Sequence, residues 1–184
     1  MLLFSCNSEN ASDCFQSSGT MVQQEVTVSG FDKILVNRDI ELIIKEGAEQ
    51  KVVIETGKNL LNDVEAVVVE GKLILTDNNA CNYVRDYGIT KVYVTAPNIT
   101  EIRSSTQYEV RSDGVLTYPS ITILAEDYSA SDTFISGNFR IEIDNNSFYA
   151  VFNNLSNCFI SGKTNNLNIT LASGTSRFEA QNLI

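Results

Sequence analysis

Histidine and tryptophan are absent from this 184-residue chain, methionine and proline occur twice each, and 13 cationic side chains face 23 acidic ones. Without histidine no Ser–His–Asp or Cys–His arrangement can be built, and zinc and non-haem iron sites lose their commonest ligand. The four cysteines, at positions 6, 14, 81 and 158, are too scattered for a Cys-x-x-Cys pair. A metal site would therefore have to use carboxylates and carbonyls. A net charge of −10 with no basic stripe repels phosphate backbones and sets nucleic-acid binding aside. No run approaches the ~18 apolar residues that span a bilayer, so a membrane link would have to be a lipid anchor. No segment holds a 3.6-residue apolar period long enough for a full helix. No cofactor motif and no activated nucleophile is legible, and the chain reads as a non-enzyme.

What is present is alternation. Hydrophobic residues make up 43% and charged residues 20%, which suits an ordered body of one domain. Val26 and Val28, Ile34 and Val36, then Ile40, Leu42 and Ile44 put apolar side chains on one face, the period of a strand. Gly47 marks a turn, and Gly71 between Val67–Val69 and Leu73–Leu75 predicts a hairpin with a positive φ. Asn59–Asp63 suits a single helical turn. Val92 and Val94 give a further strand, ended at Pro97.

Beyond Ile99 residues recur at a beat near twenty: Tyr108, Tyr128 and Tyr149; Ile102, Ile123 and Ile143; Val110, Ala130 and Val151; Leu116, Ile135 and Leu155. Such columns are the mark of a chain wound into stacked coils. Residues 137–184 carry ten asparagines, and Asn145-Asn146, Asn153-Asn154 and Asn165-Asn166 suit the tight corners between short strands. The beat fails on the next pass, where Ile160 and Leu171 compete to follow Ile143. The expected fold is all-β, a β-helix or solenoid-like stack of short strands. Residues 22–184 form one β-solenoid domain, with an irregular part over 22–98 and more regular coils over 99–184. Leu183 and Ile184 leave the last coil without a polar cap, and the sequence reads as cut short there or covered by a partner.

Residues 1–21 read as a lipoprotein export remnant and tether. Leu3 and Ser5 stand three and one residues before Cys6, resembling the cleavage box after which that cysteine is lipidated. Phe4 is bulkier than the box prefers, and the basic and apolar leader regions are missing. An exported chain meets an oxidising compartment. Cys158, in a strand-like run, reads as a small core residue. Cys14 and Cys81 lie in polar loop-like segments and either pair with each other or stay free.

Three clusters are candidates for chemistry. Asn79–Gly88 holds Tyr83, Arg85, Asp86 and Tyr87, which could stack on and hydrogen-bond a sugar or peptide. The simpler reading packs both rings on the sheet and pairs Arg85 with Asp86 or another acid. The tyrosines at 108, 128 and 149 read as a buried stack rather than an exposed aromatic ladder. Asp127, Asp132 and Asp144, with Arg140 or Lys163 as base, would suit a calcium-dependent polysaccharide-cleaving β-helix enzyme, but no spacing demands it.

Asp13-Cys14-Phe15-Gln16, Phe31–Val36, Cys81–Tyr87, Ser161-Gly162, Ser173-Gly174 and Arg177-Phe178-Glu179 together resemble the head GIN domain family of putative autotransporter adhesins. The resemblance runs from about Asp13 to the end. It implies a β-helix-like fold, a secreted or lipoprotein address and no enzymatic residues to carry over, and it favours pairing Cys14 with Cys81. The function to expect is therefore a cell-surface adhesin or binding module, anchored in the cell envelope or outer membrane by its lipid. Its partner would be an unknown glycan or surface protein, with an envelope scaffold role and homo-oligomer formation as alternatives.

Overall fold

The structure, a computed structural model, describes residues 13–79, 81–129 and 134–184. The described chain is all-β. Two short 3₁₀ turns, Asp13–Phe15 and Leu61–Asp63, are its helical segments. The strands are β1 (Met21–Val26), β2 (Lys33–Val36), β3 (Ile40–Glu46), β4 (Lys51–Gly57) and β5 (Val64–Val69). Next come β6 (Lys72–Asp77), β7 (Thr90–Ala96), β8 (Glu101–Ser104), β9 (Val110–Leu116) and β10 (Ser120–Ala125). The last three are β11 (Phe139–Asn154), β12 (Asn157–Gly174) and β13 (Arg177–Leu183).

Alternating β-branched residues make these strands, as in β7, where Thr90, Val92, Val94 and Ala96 are buried and the residues between are not. All the strands belong to one sheet in the order β1-β4-β7-β3-β9-β11-β10-β8-β2-β6-β5, with β12 on β11 and β13 on β12. The sheet bends back at β11, so its two arms enclose a single apolar core in a nearly closed, barrel-like body. Antiparallel pairs are confined to β1–β4, β4–β7 and the β5–β6 hairpin; every other pairing is parallel. The hairpin turns at Glu70 and Gly71, with φ of 50° and 75°, the two positive values that a tight two-residue turn needs.

In one arm the register stacks Leu73, Ile34, Ile102, Ile123, Ala150 and Ile169 on successive strands. In the other it stacks Ile54, Val92, Leu42, Val110, Phe139, Cys158 and Phe178. All but the last residue of each column are buried. The columns are real, but the even twenty-residue beat is not their spacing. From Ile102 the steps run 21, 27 and 19 residues, because the connection between β10 and β11 is longer than the others. Three of the expected columns are corrected accordingly. Ile143 lies opposite Leu116 and Gly162, not in line with Ile102 and Ile123, and neither Ile160 nor Leu171 follows it. Val151 pairs with Leu124, while Ala130 lies outside the described residues. The three tyrosines do not stack: Tyr108 precedes β9, Tyr128 is 66% exposed after β10, and Tyr149 is 41% exposed opposite Thr122.

Asn153-Asn154 close β11 at its turn into β12, as expected of a corner, whereas Asn145-Asn146 and Asn165-Asn166 lie inside long strands rather than between short ones. β11 leaves one arm after pairing with β9 and enters the other to pair with β10, passing Asn145-Asn146 on the way. Side chains tie this corner to the next layer: Thr164 Oγ1 donates to Asn145 Oδ1 (2.7 Å) and Asn165 Nδ2 to Asn146 Oδ1 (3.2 Å). Beside it, a Cβ on Gly162 would stand 1.9 Å from the Ile143 carbonyl oxygen, so only glycine lets the layers close.

One buried ion pair holds the segment after β10. Arg103 Nη1 donates to Glu126 Oε1 at 2.6 Å, and the N–H and hydroxyl of Ser129 also donate to that carboxylate. Glu126 is only 2% exposed. Burial pushes its carboxyl pKa up, but the bonds from Ser129 and Arg103 outweigh this and hold it below the ordinary value. A depressed folded pKa contributes stability that is complete above the ordinary carboxylate range and drains away as pH falls through the folded value. Arg103→Ala, which strands a buried carboxylate, is expected to lose about 3 kcal/mol in urea unfolding at pH 7. The gap from wild type should narrow toward pH 3, and a gap independent of pH would show that the pair is not ionised.

Candidate functional site

The loop between β6 and β7 is fixed at its base by buried polar bonds. Thr90 Oγ1 donates to Asp77 Oδ2 (2.6 Å) and lies 2.9 Å from Thr56 Oγ1. Asn79 donates through its N–H and Nδ2 to Asp77 Oδ1, at 2.9 and 2.7 Å, and through Nδ2 to the Leu60 carbonyl at 3.0 Å. Further out, a disulfide joins Cys14 to Cys81, and the Tyr83 N–H donates to the Cys14 carbonyl (2.9 Å). The N-terminal segment is thereby laid against the loop, and Phe15 meets Tyr83 with ring centroids 5.8 Å apart.

Arg85 acts inside this assembly. Its guanidinium donates to the carbonyls of Gln16 (3.3 Å), Asn79 (3.1 Å) and Cys81 (2.9 Å). The Arg85 N–H and carbonyl are both bonded to the Asn82 side chain. Arg85 is therefore a positioning residue that holds the loop to the N-terminal segment. The rings are also not where packing on the sheet would put them. Tyr83 is 75% exposed and Tyr87 76%, with Phe15 and Val84 exposed beside them. A folded protein seldom leaves so many large apolar side chains together at one loop.

These rings border a cavity of about 310 Å³ whose lining also includes Asp39, Asp77, Arg85 and Asp86. Asp39, at a φ of 68°, is steadied by Gln107, whose Nε2 donates to its carboxylate at 2.6 Å. Tyr108 stands behind the loop, its ring so close to Gly88 that a Cβ there would come within 3.1 Å. Burial, and then the Asp39 charge, push the Tyr108 hydroxyl pKa above its ordinary value. Tyr83, Arg85, Asp86 and Tyr87 border one space with Asp77 at the base of their own loop, while Asp39 joins the lining and Phe15 the Tyr83 ring from distant segments. Only the neighbouring Cys14 could have hinted at Phe15; nothing local pointed to Asp39.

The other candidates do not assemble. Asp127 follows the end of β10 and accepts a bond from Asn153 Nδ2 (2.6 Å). Asp144 lies beyond its start, nine residues along β11 from the Asn153 that bonds Asp127. Asp132 and Cys6 lie outside the described residues. Arg140 is paired with Glu109 (3.1 Å) and Lys163 lies opposite Asp144 in register. Among the described residues no three His, Cys, Asp or Glu side chains are placed to hold a metal ion. Cys158 is fully buried between Phe139 and Phe178 in its column, and that burial pushes its thiol pKa up.

The described chain is thus an all-β body of largely parallel strands that carries an exposed aromatic loop. A family profile described as "Putative auto-transporter adhesin, head GIN domain" matches residues 30–184, and the chain belongs to that family. Among solved structures, a "putative lipid binding protein" from Parabacteroides distasonis aligns with a TM-score of 0.62 at 12% identity, covering 90% of this chain and 75% of its own. A "putative adhesin" from the same species aligns at 0.61 and 14% identity, covering 91% and 76%. A third, a "putative adhesin" from Parabacteroides merdae, aligns at 0.50 and 11%, covering 90% and 92%. At these identities the likeness is one of fold. No protein of curated function matches the sequence.

The disulfide closes a separation of 67 residues around the first six strands. Replacing Cys14 and Cys81 together by serine is expected to cost about 2–4 kcal/mol in urea unfolding, through the freedom returned to the unfolded chain. A double variant as stable as wild type would show that the clamp does not bear on the fold.

Proposed function

We propose that this protein is a cell-surface adhesin, a non-catalytic binding module on a β-solenoid scaffold. In this reading the parallel ladders are the coils, and the loop at Tyr83–Tyr87 meets a glycan or a protein of another surface. The observation that carries it is the exposure of Tyr83 and Tyr87 on a loop that is otherwise tightly fixed. Flexible loops hide or disperse their aromatics at little cost; a loop held by a disulfide and an arginine clamp keeps them presented. Pre-organised rings lose little freedom on binding, which is where aromatic anchors gain their affinity. Membership in a family named for adhesion supports the same reading. Export and lipidation at Cys6 would place the module in the cell envelope, tethered through the residues ahead of the Cys14 clamp.

A polysaccharide-cleaving alternative finds no support in the separation of Asp127 from Asp144. The adhesin reading makes a direct forecast. Tyr83→Ala and Tyr87→Ala should each abolish binding on a glycan array or in pull-downs of surface proteins, while leaving the urea midpoint unchanged. Arg85→Ala should lower binding and stability together, as a positioning residue would. Undiminished binding by the tyrosine variants would clear the loop of any role.

A further inference from the structure

Resting on that reading of the loop, we propose that the cavity beside Tyr83 and Tyr87 takes a cationic group, the ammonium or guanidinium of a basic side chain on a partner protein. The walls set the chemistry. Asp39, Asp77 and Asp86 all line the cavity, and among the described lining residues Arg85 alone is cationic. Its guanidinium is committed to the carbonyls of Gln16, Asn79 and Cys81, so it cannot also turn to a ligand without opening the loop. The carboxylates are already oriented: Asp77 by Thr90 and Asn79, Asp39 by Gln107. A carboxylate has about four acceptor sites, so each keeps lone pairs for an incoming donor. The cavity thus offers oriented carboxylate acceptors beside a guanidinium already bonded to the loop backbone.

Two further features favour a cation over a neutral polar group. Tyr83 and Tyr87 border the same space, and an aromatic face attracts a cation within about 6 Å of its centre. A net charge of −10 adds a long-range field that draws cations toward the surface and repels anionic ligands. Size narrows the choice again. At about 310 Å³ the space lies at the small end of ligand pockets and suits the end of one side chain better than an oligosaccharide. A neutral sugar would gain the ring contacts but bring no charge to set against three carboxylates that face one guanidinium.

The test is isothermal titration of the full chain with a pentalysine peptide and, separately, with a panel of neutral oligosaccharides. Wild type, Tyr87→Ala and Asp86→Asn are compared at low and at physiological salt. Saturable peptide binding that weakens about tenfold in each variant and falls with salt is the expected result. Peptide binding that both variants retain in full would reflect bulk charge alone and overturn the cation site. If neutral sugars bind and Tyr87→Ala abolishes this, while the peptide does not bind, the inference fails and the loop's role in adhesion stands. If neither probe binds, a lysate pull-down compared between wild type and Tyr87→Ala decides the loop's role, and the cation site is refuted.

Discussion

Each strand of the two parallel ladders buries its apolar side chains against its ladder neighbours and, across one shared core, against the facing arm. Everything else in the structure answers to that condition. It requires inward residues to lie in register across connections of very different length, as Ile123 does over Ala150 despite a step of 27 positions. Where a strand crosses from one arm to the other it ties the bend to the next layer, as Thr164, Asn165 and Asn166 do by donating to Asn145 and Asn146. It also leaves no room for a side chain at Gly162, where backbone meets backbone. Removing any one layer would expose the inward faces of two others, so cooperativity runs along the stack.

The loop that carries the exposed rings stands outside this condition and is held by different forces. It contributes no residue to the core columns. Its order comes instead from a disulfide, from buried bonds at Asp77 and Thr90, and from a guanidinium buttressing three carbonyls. That division lets the loop vary its outward residues without disturbing the ladder beneath. It also explains why acids from β6 and from the corner before β3 end up beside aromatics of the loop: the parallel register brings these chain segments to the same end of the body.

The all-β class, the Gly71 hairpin and the membership of Tyr83, Arg85, Asp86 and Tyr87 in one cluster were legible because each rests on local pattern. The columns were half legible. Ile102 and Ile123 do stack, but a fixed beat could not foresee that β11 begins late and runs through its corner, so the three tyrosines were wrongly aligned. Burial of the loop rings was inferred from their apolar character, whereas their placement depends on the Arg85 clamp, which spans 69 residues to Gln16. Asp39 was invisible for the same reason. Its role depends on tertiary neighbours, and a sequence reports those only through regular spacing, which this chain lacks.

The central claim is the register, and cysteine cross-linking tests it most directly. Thr122 and Tyr149 lie on neighbouring strands as direct partners, 27 residues apart, and both point outward, where they can be replaced. A Thr122→Cys, Tyr149→Cys variant should oxidise readily to a new disulfide while keeping the native unfolding midpoint or raising it, since direct partners meet the geometric demands of the bond. A Tyr128→Cys, Tyr149→Cys variant, joining residues at the twenty-residue beat, should remain a dithiol under the same conditions. Cross-linking in the second variant and not in the first would mean that the layers are stacked by even coils, which contradicts the pairing of β10 with β11.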